Sequence, residues 1–389
     1  MAPITALVEP ELLSWARRSA NYEPLTVARK LGVPDDRVEA WENGTLKPTV
    51  TQLRAIANLY RRPLGVFFLP APPAGFETMR DFRRIYSSVS AVWSAELHAE
   101  YRRAHDQRDV LLEIAELDDI NPSAVWRDIS ASGDDQKIAA AARSTLHDVA
   151  PLSYPTLGGS EYDHLNYWTA ALEEAGVLIM HTAGGLVLTE EMRAFSLYFS
   201  ELPVIVLNGA DWPRGRIFSV IHEYAHLLLH TAGLCDTTTD SHAVTDDRRL
   251  EARCNAIAAD MLMPAAEVLA SGSVAAKKAG HAWTLSELVE AAKPFGVSVE
   301  SFLRRLATLD RVSLDFYLQF RDKQSEQELR GNRSGGGNFY NNKARDLGKG
   351  YIRSVVSAHV RQVIDSSTAA AYLDVKVGQI PELAKRARL

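Results

Sequence analysis

His222, Glu223 and His226 form the pattern H-E-x-x-H within HEYAH. On a helix, residues four apart share one face about one turn apart, so the two imidazoles can grip a single metal ion. Glu223, one position round, comes beside the metal's open coordination position, where a carboxylate can take a proton from metal-activated water. Two histidines do not complete a catalytic zinc site, which uses three protein ligands. Glu251 opens the next acidic helical stretch, RLEARCNAIAADMLMP over 249–264, at a distance that suits the third ligand. Asn255 follows one turn later on the same face, placed to hold a ligand histidine by a hydrogen bond.

Those residues need particular elements to carry them. The stretch 216–230, RIFSVIHEYAHLLLH, has no Gly or Pro and is apolar around its polar residues. It reads as a mostly buried helix, and histidines and a glutamate inside it would be costly without partners. Gly233 marks the exit from this helix, and Pro264 closes the next. Upstream, apolar runs at 177–180, 195–199 and 204–207 read as three strands. An edge strand offers backbone groups to an extended peptide; the sequence leaves open whether 195–199 or 204–207 lies at the edge. Helical patterns cover 92–117, 136–149 and 162–175. His230 continues the four-residue spacing and reads as a helix-end histidine held by a neighbour. Cys235 and Cys254 read as buried, inert thiols, and His242 as a loop residue.

HEYAHLLLH followed by EARCNAIAADMLMP resembles the two motifs of the ImmA/IrrE family of zinc metallopeptidases. The resemblance extends upstream through FSLYFSELPVIVLNGADWPRGRIF. It implies a zinc ion held by His222, His226 and Glu251, with Glu223 as general base. Ile257 and Arg253 depart from the family pattern at positions not expected to touch the metal.

The N-terminal part is different in kind. Short amphipathic helices are expected at 11–20, 25–31, 35–43, 50–60 and 63–68. Leu31-Gly32-Val33-Pro34 supplies a tight turn and a helix start, and Glu42-Asn43-Gly44-Thr45 a helix-ending glycine. This arrangement resembles the helix-turn-helix domain of the XRE (lambda-repressor-like) regulators, which implies that residues 35–43 enter the major groove. Arg37, Asn43 and Lys47 are the candidate DNA contacts. Pro24 stands where that family usually has Gln. Residues 1–72 carry nine Lys/Arg against seven Asp/Glu, so phosphate attraction is weak and binding as a homodimer is expected. A helix-turn-helix fold turned to protein contact is the alternative reading of the acidic Asp35, Asp36 and Glu39.

Composition frames the rest. A chain of 389 residues with 46% hydrophobic and 24% charged residues is long enough for several soluble domains. No apolar run reaches bilayer length, no secretory signal opens the chain, and two cysteines make no disulfide framework. A cytoplasmic protein with no membrane partner is expected. Pro70–Pro73 reads as an extended linker and Ser334–Gly337 as a flexible joint. From residue 330 onward eleven Lys/Arg face four Asp/Glu. That stretch, with a helix at 351–364 and a short helix-turn-helix pair at 367–383, reads as a solvated basic tail or as a contact for nucleic acid or a partner protein.

The expected fold is multidomain and mainly α with a small β-sheet. An all-α lambda-repressor-like domain (1–72) precedes a helical connector (73–150), an α+β zincin-like metallopeptidase domain (151–325) and a basic helical C-terminal region (326–389). The resemblances imply a DNA-binding regulator that binds operator DNA through residues 1–72 and carries a zinc-dependent endopeptidase acting on a regulatory protein. They also support an antitoxin that represses its own operator and neutralises a PIN-like ribonuclease toxin, with the zinc site structural or latent.

Overall fold

Helix breakers and caps partition the N-terminal chain into short helices that bury one stripe each. The computed structural model describes residues 5–20, 22–72, 94–127, 129, 133–155, 159–183, 186–231, 243–328 and 338–387, without the side chains of 230, 231, 243–248 and 323–328. It divides into two compact units, Met1–His105 and Asp106–Leu389. In the first, α1 (Pro10–Ser19) starts on a proline with Glu11 in its first turn and ends on Arg17 and Arg18, charges that complement the helix dipole. α2 (Pro24–Leu31) stops at Gly32, whose φ of 65° is left-handed. α3 (Arg37–Glu42) begins later than the expected 35: residues 34–36 form a turn, and the Asp36 side chain caps nothing. α4 (Val50–Leu59) is opened by a reciprocal capping box between Thr49 and Gln52. A 3-10 turn at Leu64–Phe68 closes the set.

These helices surround Leu13, Ala16, Val27, Val38, Trp41, Leu53, Ile56 and Phe67. Arg17 forks onto Glu42 at 2.7 and 2.8 Å, both side chains mostly shielded, and so pins α1 to α3. Arg62 lies over the Trp15 ring, 4.4 Å from its centroid.

α5 (Ala95–Leu117) begins in the first unit and continues into the second. Next come α6 (Asp135–Val149), capped by Asp134, and α7 (Glu161–Glu174), opened by a Ser160–Asp163 capping box. The strands are β1 (Leu178–His181), β2 (Ala194–Leu197) and β3 (Val204–Leu207). β3 is central, parallel to β1 and antiparallel to β2, with Ser196 opposite Ile205. Its all-apolar, fully buried VIVL is what a strand covered on both faces requires. Among the described residues both β1 and β2 are therefore edges, which answers the question the sequence left open in favour of β2 over β3.

α8 (Pro213–Thr231) packs on β2, β3 and α7, and α9 (Ala243–Leu262) packs on α8 and α6. α8 starts earlier than 216 because Pro213 suits a first helical position and Asp211 accepts a hydrogen bond from Trp212 N at 2.8 Å. A Cβ at Gly215 would come within 3.0 Å of the Asp211 carboxylate, which would have to shift to admit a side chain there. Arg253 pairs with Asp135 at 2.8 Å, and Arg305 with Asp260, locking α9 to its neighbours. α6 and the Trp126 segment, within the stretch 73–150, contribute Trp126, Ile138, Ala142 and Leu146 to the same core as α8 and α9. Five helices follow: α10 (Ala265–Ala270), α11 (Gly272–Ala275), α12 (Leu285–Ala292), α13 (Val299–Thr308) and α14 (Leu314–Glu328).

The basic C-terminal stretch is not a solvated tail. α15 (Phe339–Leu347), α16 (Lys349–Val360), α17 (Ser366–Tyr372) and α18 (Ile380–Ala387) fold together, and α15 and α16 pack on β1. Arg353 pairs with Glu173 at 2.9 Å, Gly350 N donates to the same carboxylate, and Lys349 reaches Asn166. Gly348, at φ 86°, lies so close to Ile179 O that a side chain there would collide with it. Two of the stretch's positive charges, Arg353 and Arg361, are thus paired with acids outside it, Glu173 and Asp118. Among the described residues, no helix is long and apolar enough to cross a membrane.

Candidate metal centre

α8 carries His222, Glu223 and His226 on the side facing α9 and β2, and all three are at least mostly buried. Burial follows from the neighbours: Ile221, Tyr224, Ala225 and Leu227 to Leu229 are fully enclosed, so the helix cannot turn its polar face to water without exposing its core. α9 supplies Glu251. His222 Nε2 lies 3.3 Å from Glu251 Oε2, His226 Nε2 lies 3.0 Å from Glu251 Oε1, and the two Nε2 atoms are 3.2 Å apart. His222 Nδ1 is buried without a hydrogen bond among the described residues.

Three atoms able to donate electron pairs to a cation have been brought together, and buried polar groups of this kind need something shared between them. Nitrogen and oxygen ligands held about 2.0–2.1 Å from one tetrahedral zinc lie about 3.3 Å from each other. The spacings at this centre, 3.0–3.3 Å, fit that demand. Without a metal the charges reorganise around protons. Burial pushes Glu251 up, but its contacts with both imidazoles reverse this and bring it down to about 2. Burial pushes His226 down, while the Cys254 thiol, Glu251 and the Glu223 charge outweigh it and raise His226 to about 11.

Glu223 is held from the sheet. Ser196 on β2 donates its hydroxyl to Glu223 Oε2 at 2.7 Å, with both side chains buried. Nothing in the sequence pointed to Ser196; a serine inside an otherwise apolar buried strand is the one signal available. From α9 it is Cys254, buried, that reaches His226. Asn255 is half-buried and makes no hydrogen bond to either histidine among the described contacts. The His230 side chain, Cys235 and His242 lie outside the described residues.

The expected DNA contacts sit elsewhere, on the first unit. Arg37 is the first residue of α3 and half-buried, while Asn43 and Lys47 are exposed beyond its end. Asn43 Oδ1 accepts from Thr45 N at 3.0 Å and from Thr45 Oγ1 at 2.7 Å, so its carboxamide oxygen closes the turn after α3. Its NH2 group is the part left to reach outward.

Comparison with known families agrees with this division. Residues 13–67 match a helix-turn-helix family, and residues 172–307, which contain all three strands, α8 and α9, match the IrrE N-terminal-like domain of the Peptidase_M78 family. No curated protein matches the chain. The chain thus carries an N-terminal helix-turn-helix domain followed by an IrrE N-terminal-like, peptidase-family domain.

Proposed function

We propose that this protein is a DNA-binding regulator whose second unit is a zinc-dependent endopeptidase acting on a regulatory protein. The observation that carries the reading is the convergence of His222 Nε2, His226 Nε2 and Glu251 on one point, near enough to Glu223 for its charge to act on His226. When bound there, zinc supplies Lewis acidity that acidifies water and polarises a carbonyl. The remaining work falls to the chain. Glu223, with Oε2 held by Ser196, accepts a proton from the attacking water and passes it to the leaving amine. β2, whose outer edge pairs with no other strand among the described residues, can take an extended peptide by backbone hydrogen bonds. The first unit brings this chemistry to operator DNA through α3, with Arg37, Asn43 and Lys47 as its contacts.

The test is incubation of the zinc-loaded protein, and of its Glu223→Gln variant, with the product of the gene beside its own. Fragments that depend on Glu223 are expected. A stable complex without cleavage by either form would overturn the endopeptidase reading in favour of sequestration, as an antitoxin holds its toxin.

A further inference from the structure

We propose that Ser196 is the positioning residue for Glu223, fixing one carboxylate oxygen so that the other is the proton acceptor. This rests on the peptidase reading above. β2 reads AFSL, and its neighbours Phe195 and Leu197 are buried. A hydroxyl in such a strand is costly unless bonded, and a buried carboxylate is more so. The two costs cancel in one bond of 2.7 Å, the distance of a charge-assisted O–H···O contact. Among the described contacts it is the only hydrogen bond the Glu223 carboxylate makes.

The loop that follows the strand presenting Ser196 is held by two arginines. Beyond β2, Arg108 donates to Leu202 O at 3.1 Å and to Glu201 O at 3.0 Å, and its guanidinium lies 3.7 Å from the Phe199 ring centroid. Arg127 donates to Ser200 O at 3.0 Å. On its inner side β2 is paired to the fully buried β3, with Ser196 opposite Ile205. Catalytic geometry is worth most when the reacting group sits on a rigid element and its rotation is locked by a neighbour. Glu223 has its backbone on α8 and one oxygen tied to β2, so helix and sheet together set its orientation.

The experiment uses the full-length, zinc-loaded protein and its Ser196→Ala, Ser196→Thr, Ser196→Val and Glu223→Gln variants. Zinc content, hydrolysis of fluorescein-labelled casein, and binding of acetohydroxamate, a metal chelator whose hydroxyl a general-base carboxylate receives, are measured on each. Ser196→Ala is expected to keep its zinc and its KM while kcat and acetohydroxamate affinity fall about 10- to 100-fold, the worth of a hydrogen bond to a charged group. Ser196→Thr should restore most of the loss. The equal-volume Thr and Val variants repeat the comparison should Ala not fold, and acetohydroxamate binding decides should casein not be cut. Zinc-loaded Ser196→Ala or Ser196→Val that matches wild type in acetohydroxamate binding would overturn the inference, as would a Thr variant impaired as deeply as Val. Failure of the underlying reading looks different: no bound zinc in wild type, or Glu223→Gln indistinguishable from it.

Discussion

α8 and α3 are the two helices on which this protein's chemistry and its DNA reading would rest, and they are built in opposite ways. α8 is 19 residues long and sealed in the core, and its polar residues converge on a partner helix. α3 has six residues, and apart from Glu42, which pairs with Arg17, the polar groups at and around it are half-buried or exposed and of mixed sign. Burial makes electrostatics strong and intolerant of change, so one lost ligand undoes the whole centre. Exposure makes each contact weak and separately adjustable. Perturbations should therefore be large and all-or-none at α8, and small and graded at α3.

The largest effect should come from the ligands. His226→Ala or Glu251→Ala is expected to lower zinc affinity by more than about 100-fold, exceeding what loss of a supporting residue costs, as read by competition with a chromophoric chelator. Affinity in either variant within tenfold of wild type would place the metal elsewhere. Zinc should also raise the melting temperature of the second unit, with about 4 kcal/mol of added stability at a thousandfold excess over Kd; an unchanged melting curve would break the contrast.

Proton linkage gives a sharper version. In the metal-free protein His226 is raised to about 11, so it is protonated at pH 7 and must lose that proton to bind a cation. Because the folded value lies above the unfolded one, the proton's stabilising contribution is complete below the ordinary histidine pKa and fades as pH climbs towards 11. Zinc uptake at pH 7 should then release about one proton, measured by calorimetry in buffers of different ionisation enthalpy, and affinity should climb with pH. Release of none would mean that His226 is already neutral.

In the first unit the strongest single contact is structural. Arg17→Ala is expected to cost about 2 kcal/mol in urea unfolding, since it leaves the shielded Glu42 without its partner. A cost below about 0.5 kcal/mol would show that the α1–α3 fork contributes nothing net. Smallest of all, Lys47→Ala should weaken operator binding modestly and reduce the salt slope by about one. A collapse of binding on that single change would contradict graded recognition.

What was legible in the sequence follows the same divide. Local periodicity marked α8, the three strands and the short helices of the first unit, because each is set by residues within a few positions. His222, His226 and Glu251 could be paired because helical spacing and a familiar motif supplied the missing distance. Long-range choices were not legible. Both Cys254 and Asn255 follow Glu251 by about one helical turn, and only packing decides that the thiol reaches His226. Ser196 meets Glu223 across 27 residues, and Arg353 meets Glu173 across 180, through pairings no local pattern encodes. The basic C-terminal helices read as a tail because the acids that dock them, Glu173 for Arg353 and Asp118 for Arg361, lie far away in the chain.

The most direct test of the central claim is zinc stoichiometry by mass spectrometry of metal content, on full-length wild type, Glu223→Gln and His226→Ala after dialysis against trace zinc. One zinc per chain is predicted in wild type and in Glu223→Gln, with none retained by His226→Ala. Zinc-free wild type, or a full equivalent held by His226→Ala, would contradict the account.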